Sequence, residues 1–292
     1  MAQATEARAR LCAAHGWPEE AVELVPVIAS GDKIQDRPLA EIGGKALWTR
    51  ELDQWLTEGR IDGAVHSMKD VETQRPDDLA IAAILPRADR RDVLIGARTI
   101  AAIPQSASLG TSAPRRAAQM RYLRPDLQVV LFRGNVATRL AKLAAGDADV
   151  TLLAKAGLDR LGEEGVGTPL EPEEFLPAPA QGAIGIESRA DDLRMLDILA
   201  AIDDGPSHAE IAAERALLAA LGGNCNSPVA LDCRWQNGGR LSLRVALFSP
   251  DGTVRVDGER LLDHDDLSGI ADCAADLLDR AAPAIQAVFR GG

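Results

Sequence analysis

The chain has 292 residues, 46% of them apolar, enough for two or three domains of ~100–200 residues with cores of their own. Its formal net charge of −12 speaks against bulk binding to nucleic acid. The start, MAQATEARARLCAAHG, has no apolar stretch resembling a secretion signal and no run suffices to cross a bilayer, so a cytoplasmic enzyme or binder is expected.

Residues 4–14 are predicted helical, with Ala7, Leu11 and Ala14 on one face. VELVPVIA, Val22 to Ala29, reads as a strand that runs into the loop SGDKIQDRPLAEIGGK. The GGK of that loop lacks the G-x-x-x-x-G-K-S/T spacing of a phosphate loop, so Lys45 is read as part of a mobile lid. A second helix carries Trp48, Leu52, Trp55 and Leu56 on one stripe and stops at Gly59. IDGAVHS and LAIAAIL are short buried strands. Then DVLIG, SASLG, a helix from about Pro114, QVVLF, a helix from about Ala137 and DVTLLA alternate, a rhythm that argues for open, largely parallel sheets with helices on both faces.

LPRADRRDVLI is polar between two strands and reads as a hinge; FLPAPAQGAIGIES is a second crossing, leading into a strand at Ala183 to Glu187. Two crossings between α/β lobes give a two-lobed binding architecture with a ligand in the cleft. The expected division is 1–86 with 183–202 for lobe 1, 90–178 for lobe 2, and 205–292 for a C-terminal domain. In that last part, Ser207 and Glu210 read as a capping box opening a helix that ends near Leu221. VALDCRWQ, RLSLRVALFS and TVRVDGER, joined by NGG and PDG turns, form a three-stranded antiparallel sheet, and a last helix runs from about Asp266 toward Pro283.

Chemistry gathers at predicted strand ends, where open α/β sheets bind ligands. AVHSMKDV puts Ser67, Lys69 and Asp70 there, and a cleft carboxylate can hold a cation or move a proton. GTSAPRRAAQ places Thr111 and Ser112 before a helix that begins with Arg115 and Arg116, a start suited to carboxylates. FRGNVATR adds Arg133 and Arg139. From Arg115 to Arg160, nine basic residues against four acidic ones leave +5 inside an acidic protein, a local anion site or a set of solvated helix faces. The cysteines, Cys12, Cys225, Cys233 and Cys273, show no zinc spacing with the four histidines, and no metal is expected. Three of them lie on predicted helix or strand faces and are expected in the core. Cys225 stands in LGGNCNSPVA, a tight exposed loop that suits no core thiol.

Nearly the whole chain resembles the porphobilinogen deaminase (hydroxymethylbilane synthase) family, through PLAEIGGKALWTREL, AVHSMKDV, GTSAPRRAAQ, RGNVATRLAKL, LAKAGLDRLG, PAPAQGAIGIESR and AAERALLAALGGNCNSPVA. The resemblance implies two periplasmic-binding-protein-like (type II) lobes with mixed, mostly parallel sheets, plus a small C-terminal α+β domain. It implies a dipyrromethane cofactor tethered to Cys225 by a thioether. Four porphobilinogen molecules, each losing ammonia to give an azafulvene, would be added head to tail before water releases hydroxymethylbilane for tetrapyrrole and haem synthesis. By the same resemblance Asp70 and Lys69 are catalytic, and Ser67, Thr111, Ser112, Arg115, Arg116 and Arg133 hold the cofactor. Arg139, Arg160, Lys45 and Gln3 would bind substrate. A cytoplasmic monomer, passing its product to uroporphyrinogen III synthase, is implied too.

The sequence departs from the family pattern in several places. Members open with a strand and turn of the form R-I-x-T-R-x-S-P-L-A-L, whereas this sequence starts at what corresponds to the end of that motif. The expectation is either a longer protein or, for the chain as written, low or no turnover. Ala113 and Pro114 stand where serine and leucine are usual, Glu72 where proline is common, and Asn224 where a glycine is. The rival reading is a two-lobed, non-catalytic binder of small anions.

Overall fold

The computed structural model describes residues 1–27 and 49–289. Helix α1 (Ala2–His15) buries Ala7, Leu11 and Cys12, and ends at Gly16, whose φ of 65° lets the Trp17 N–H return to the Cys12 carbonyl. A 3-10 turn at Glu19–Ala21 follows. The strand expected at Val22 does not form in its described part: residues 23–27 have no regular structure, Pro26 has no N–H for a ladder, and Val25 is 43% exposed. Ile28, Ala29, Lys45 and Trp48 lie outside the described residues. Helix α2 (Arg50–Thr57) seats Leu56 against Ala64 and Leu79.

Three sheets follow. The first is ordered β1-β8-β2, with β1 (Ala64–Ser67) and β2 (Leu79–Ile84) each antiparallel to β8 (Ile184–Arg189). The second comprises β3 (Asp92–Ile95), β4 (Ser108–Gly110), β5 (Gln128–Val130), β6 (Val150–Ala154) and β7 (Thr168–Pro169), in the order β5-β4-β6-β3-β7. Here β4 runs parallel to β5 and β6, and β3 antiparallel to β6 and β7. The fold is thus α/β with mixed sheets. Its parallel share is smaller than the strand–helix rhythm suggests because β3 and β8, the strands beside the two crossings, run against their neighbours. Helix α3 (Pro114–Leu123) buries Met120 in the core of the second sheet and Ala118 against the C-terminal part, α4 (Val136–Ala144) and α5 (Lys155–Arg160) pack on β6, and α6 (Leu193–Ala200) packs on the first sheet.

The C-terminal part is a three-stranded antiparallel sheet of β9 (Val229–Gln236), β10 (Arg240–Phe248) and β11 (Arg255–Asp263), in the order β11-β10-β9. Helices α7 (Gly205–Ala220), α8 (Leu267–Arg280) and α9 (Pro283–Phe289) cover it. Leu217, Leu231, Leu243, Leu247 and Leu277 fill this core together with Cys233 and Cys273. Cys12, Cys233 and Cys273 are buried, whereas Cys225 is exposed.

The start of α7 corrects the expected capping box. Asp204 is the N-cap, its carboxylate accepting from the Ser207 N–H at 2.9 Å, because Pro206 in the first turn needs no N–H partner. Glu210 is instead buried and takes Arg87 and Arg90. The polar crossing read as a hinge is therefore anchored: Arg87 pairs with Glu214 at 2.8 Å, and Arg90 reaches Asp232 at 3.1 Å.

Candidate functional site

β1 runs directly into a 3-10 turn at Met68–Asp70. Met68 is buried, and its sulfur occupies the place that a Cβ at Gly185 would need, so a glycine on β8 seats this turn against the sheet. Met68 then fixes the chain direction through its N–H to the Ala183 carbonyl at 3.1 Å. Lys69 and Asp70 are thereby turned onto the wall of an open cleft.

The facing wall comes from the second sheet. β4 ends at Gly110, the Thr111 N–H donates to Val130 at 3.0 Å, and Pro114 opens α3. This places Arg115 and Arg116 in the first helical turn, both buried, where a single carboxylate meets them. Asp92, the first residue of β3 and wholly buried, accepts from Arg115 Nη1 at 2.6 Å, and from Arg116 Nε and Nη2 at 2.9 and 2.6 Å. Burial alone would raise the Asp92 pKa, but the two guanidinium groups overcome it and bring it to about 2. Arg115 also donates to the Leu176 carbonyl, while its buried Nε finds no hydrogen-bond partner among the described residues. Burial lowers the Arg115 pKa, opposed by Asp92. In the sequence Asp92 belongs to the polar crossing LPRADRRDVLI, and no local signal marks it as a buried counter-ion.

A stability prediction follows from Asp92. Its pKa falls from the ordinary 3.8 to about 2 in the folded chain, so its stabilisation is present above pH 3.8 and disappears as pH drops toward 2. Asp92→Asn leaves two buried cations unpaired and should cost ~3–5 kcal/mol at neutral pH. Its thermal midpoint should also fall less steeply than the wild type's as pH drops from 4 to 2, since the share due to Asp92 is gone. Melting curves across that range would show otherwise if the wild-type and variant curves ran parallel.

Arg139 sits on α4, whose start Asn135 caps by accepting from the Thr138 N–H at 2.9 Å. Its Nε donates to the Gly134 carbonyl, and burial with repulsion from Arg116 and Arg133 lowers its pKa to about 10, while Asp70 raises it. Lys69 is affected likewise: burial first, then Arg116 and Arg139, push its pKa down, against Asp70 and Asp92. A carboxylate, an ammonium and three guanidinium groups therefore share one field.

The third wall is the Cys225 loop. Gly222, at φ 69°, and Gly223 end α7 by returning their N–H groups to Ala219 and Leu218, both at 2.9 Å. Beyond them the loop closes on itself. The Asn224 N–H donates to Ser227 Oγ at 3.0 Å, and the Asn226 N–H to Asn224 Oδ1 at 2.8 Å. Asn224 thus organises the loop through its side chain. The Cys225 thiol lines the cleft, and desolvation by the surrounding walls first, then Asp70 and Glu72, push its pKa up.

Of the residues singled out from the sequence, the described lining brings together Lys69, Asp70, Ser112, Arg115, Arg116, Arg139 and Cys225. Ser67 and the buried Thr111 and Arg133 are not part of the described lining. Gln3 lies on α1, and Arg160, at the end of α5, donates to the Gly182 carbonyl at 3.2 Å; neither belongs to the described lining. Sequence reasoning missed Arg215, which lines the cleft from α7, although an arginine amid the apolar AAERALLAAL was a visible signal.

Residues 1–197 match the family model for the porphobilinogen deaminase dipyromethane cofactor binding domain, and residues 208–277 the one for the porphobilinogen deaminase C-terminal domain. The chain is 56% identical over 294 residues to the porphobilinogen deaminase of Sphingopyxis alaskensis, covering 99% of this chain and 93% of that protein. Among solved structures, the periplasmic VFT2 domain of Bordetella pertussis BvgS is 14% identical, at a TM-score of 0.40, over 72% of this chain and 82% of that one. Substrate binding domain 2 of Lactococcus lactis GlnP is 9% identical, also at 0.40, over 72% and 82%. These two likenesses are too loose to carry any argument.

Proposed function

The chain belongs to the porphobilinogen deaminase family, and from that premise we propose how its cleft works as a hydroxymethylbilane synthase. The reaction is the stepwise deamination and head-to-tail condensation of four porphobilinogen molecules, followed by hydrolytic release of hydroxymethylbilane. The observation that carries the reading is an exposed thiol, Cys225, facing a carboxylate, Asp70, inside a cleft lined by Lys69, Arg115, Arg116 and Arg139.

These residues suit a dipyrromethane. Two pyrroles bring four carboxylates, and the cleft offers cations together with a buried Arg115 Nε that has no hydrogen-bond partner among the described residues. Cys225 would hold the group covalently, with Ser67, Thr111, Ser112, Arg115, Arg116 and Arg133 around its carboxylates. When bound, it supplies the ring carbon on which the chain is built. Asp70 stabilises positive charge as ammonia leaves porphobilinogen and handles the proton that each condensation returns. A unit charge at 4 Å contributes about 4 kcal/mol at an effective dielectric near 20, before desolvation. Lys69, with its pKa lowered, gives up a proton more readily than an ordinary lysine and assists that exchange. Arg139 holds incoming carboxylates; Arg160, Gln3 and Lys45 complete the substrate contacts in this proposal.

The proposal also includes a monomer working in the cytoplasm, with its product passed to uroporphyrinogen III synthase. It assigns residues 1–86 with 183–202, 90–178 and 205–292 to three domains. Among the described residues, no helix is long and apolar enough to cross a membrane. Intact mass with peptide mapping tests the reading. An added mass of two linked pyrrole units on the Cys225 peptide is expected, and a bare thiol on a folded chain that still binds small anions would favour the non-catalytic binder.

A further inference from the structure

Asp70 and Cys225 belong to different parts of the fold. Asp70 follows β1 of the first sheet, whereas Cys225 follows α7 of the C-terminal part. Chemistry between a group held at one and a chain tethered at the other requires a fixed separation, and two contacts supply it. Arg215 on α7 donates from Nη1 to the Val71 carbonyl at 3.4 Å, and from Nη2 to the carbonyls of Glu72 at 2.6 Å and Thr73 at 3.0 Å. These are the three carbonyls directly after Asp70. The Thr73 hydroxyl then donates to the Gly223 carbonyl at 3.3 Å, two residues before Cys225.

The partners of Arg215 are unusual. Its neighbour Arg75 takes carboxylates, pairing with Glu187, Glu72 and Asp53. Among the described residues, the hydrogen bonds of Arg215 go to neutral carbonyls, and burial lowers its pKa against the field of Glu187. Desolvating a guanidinium without a direct ion pair is costly. What the arrangement gains is geometry: a planar fork reaches several acceptors at once, as an ammonium does less well.

We propose that Arg215 is a positioning residue that, with Thr73, clasps the Asp70 segment to the Cys225 loop and sets the separation at which condensation occurs. The proposal rests on the roles given above to Asp70 and Cys225. Arg215 acts through the backbone of residues 71–73, so its loss changes alignment more than carboxylate binding. An error of about 1 Å in such alignment costs roughly 100-fold in rate.

The test uses the full chain carrying Arg215→Gln, Arg215→Lys or Thr73→Val. Three quantities are followed: the adduct on Cys225 by mass, kcat and KM with porphobilinogen, and amide exchange of residues 70–73. For Arg215→Gln the expected result is a loaded Cys225, kcat down roughly 100-fold, KM within about 3-fold, and faster exchange at 71–73. Arg215→Lys should lie between it and the wild type. Thr73→Val should lower kcat about 3- to 10-fold at constant KM, since one of the two links survives.

An Arg215→Gln protein with raised KM and intact kcat overturns the proposal, making Arg215 a further carboxylate grip. A soluble Arg215→Gln chain with bare Cys225 overturns it as well, because Arg215 would then serve attachment. If that variant does not fold, Thr73→Val decides, and unchanged kcat there sinks the clasp. A bare Cys225 in the wild type would instead defeat the functional reading. Amide exchange at 71–73 would still judge the clasp in that case, and unchanged exchange in Arg215→Gln would overturn it.

Discussion

Cys225→Ser is expected to give a folded chain with no covalent adduct and no detectable turnover. The thiol is exposed and the loop around it is held by Asn224 and Ser227 and by backbone N–H groups, so the substitution opens no cavity and leaves these loop hydrogen bonds in place. Surface changes of this kind fall within about 0.5 kcal/mol. A hydroxyl, however, is a far weaker nucleophile than a thiol and stays protonated at neutral pH. The contrast with the other cysteines sharpens the expectation. Cys233 and Cys273 are wholly buried in the C-terminal core, so serine there should lower stability and leave the adduct on Cys225 intact. Mass and melting temperature, measured on all three variants, separate the two behaviours. Full turnover by Cys225→Ser would remove the tether from the mechanism.

What could be read in advance depended on the range of the interaction. The Cys225 loop was legible because its glycines, asparagines and proline set the backbone locally. The arginines of α3 were legible because a proline and two cations at a strand end form a local signal. Their partner Asp92 was not, since a carboxylate twenty-three positions earlier becomes a counter-ion only when β3 lies beside α3. The helix start at Asp204 was misplaced by three residues because Ser207 and Glu210 also fit the capping pattern. Glu210 is in fact withdrawn by Arg87 and Arg90, from a segment that looked like a free hinge. Pairing direction was similarly hidden, because alternation of strands and helices does not say which strand enters at a crossing. Arg215 stood in plain view, but its acceptors are backbone carbonyls from another part of the chain, and these leave no trace in residue types.

Asp70→Asn is expected to lower kcat by ~10²–10⁴-fold while KM changes little, the signature of lost proton handling and charge stabilisation. Asparagine keeps the shape and one acceptor oxygen, so the turn at Met68–Asp70, which rests on Met68 and its N–H to Ala183, should persist. The pH profile provides the sharper readout. Asp70 is the leading influence that raises the Lys69 pKa against burial, Arg116 and Arg139. Without it Lys69 loses its proton at lower pH, so the alkaline limb of the residual activity should move toward neutrality. Asp70→Glu keeps the charge and should leave that limb near its wild-type position, even though a longer side chain misplaces the carboxylate and costs rate. A variant that merely disturbed the fold would lower activity without moving the limb. An Asp70→Asn protein with kcat within tenfold of wild type and an unmoved limb would mean that the carboxylate serves the cleft's charge balance, and the proton would have to be handled by another group on its wall.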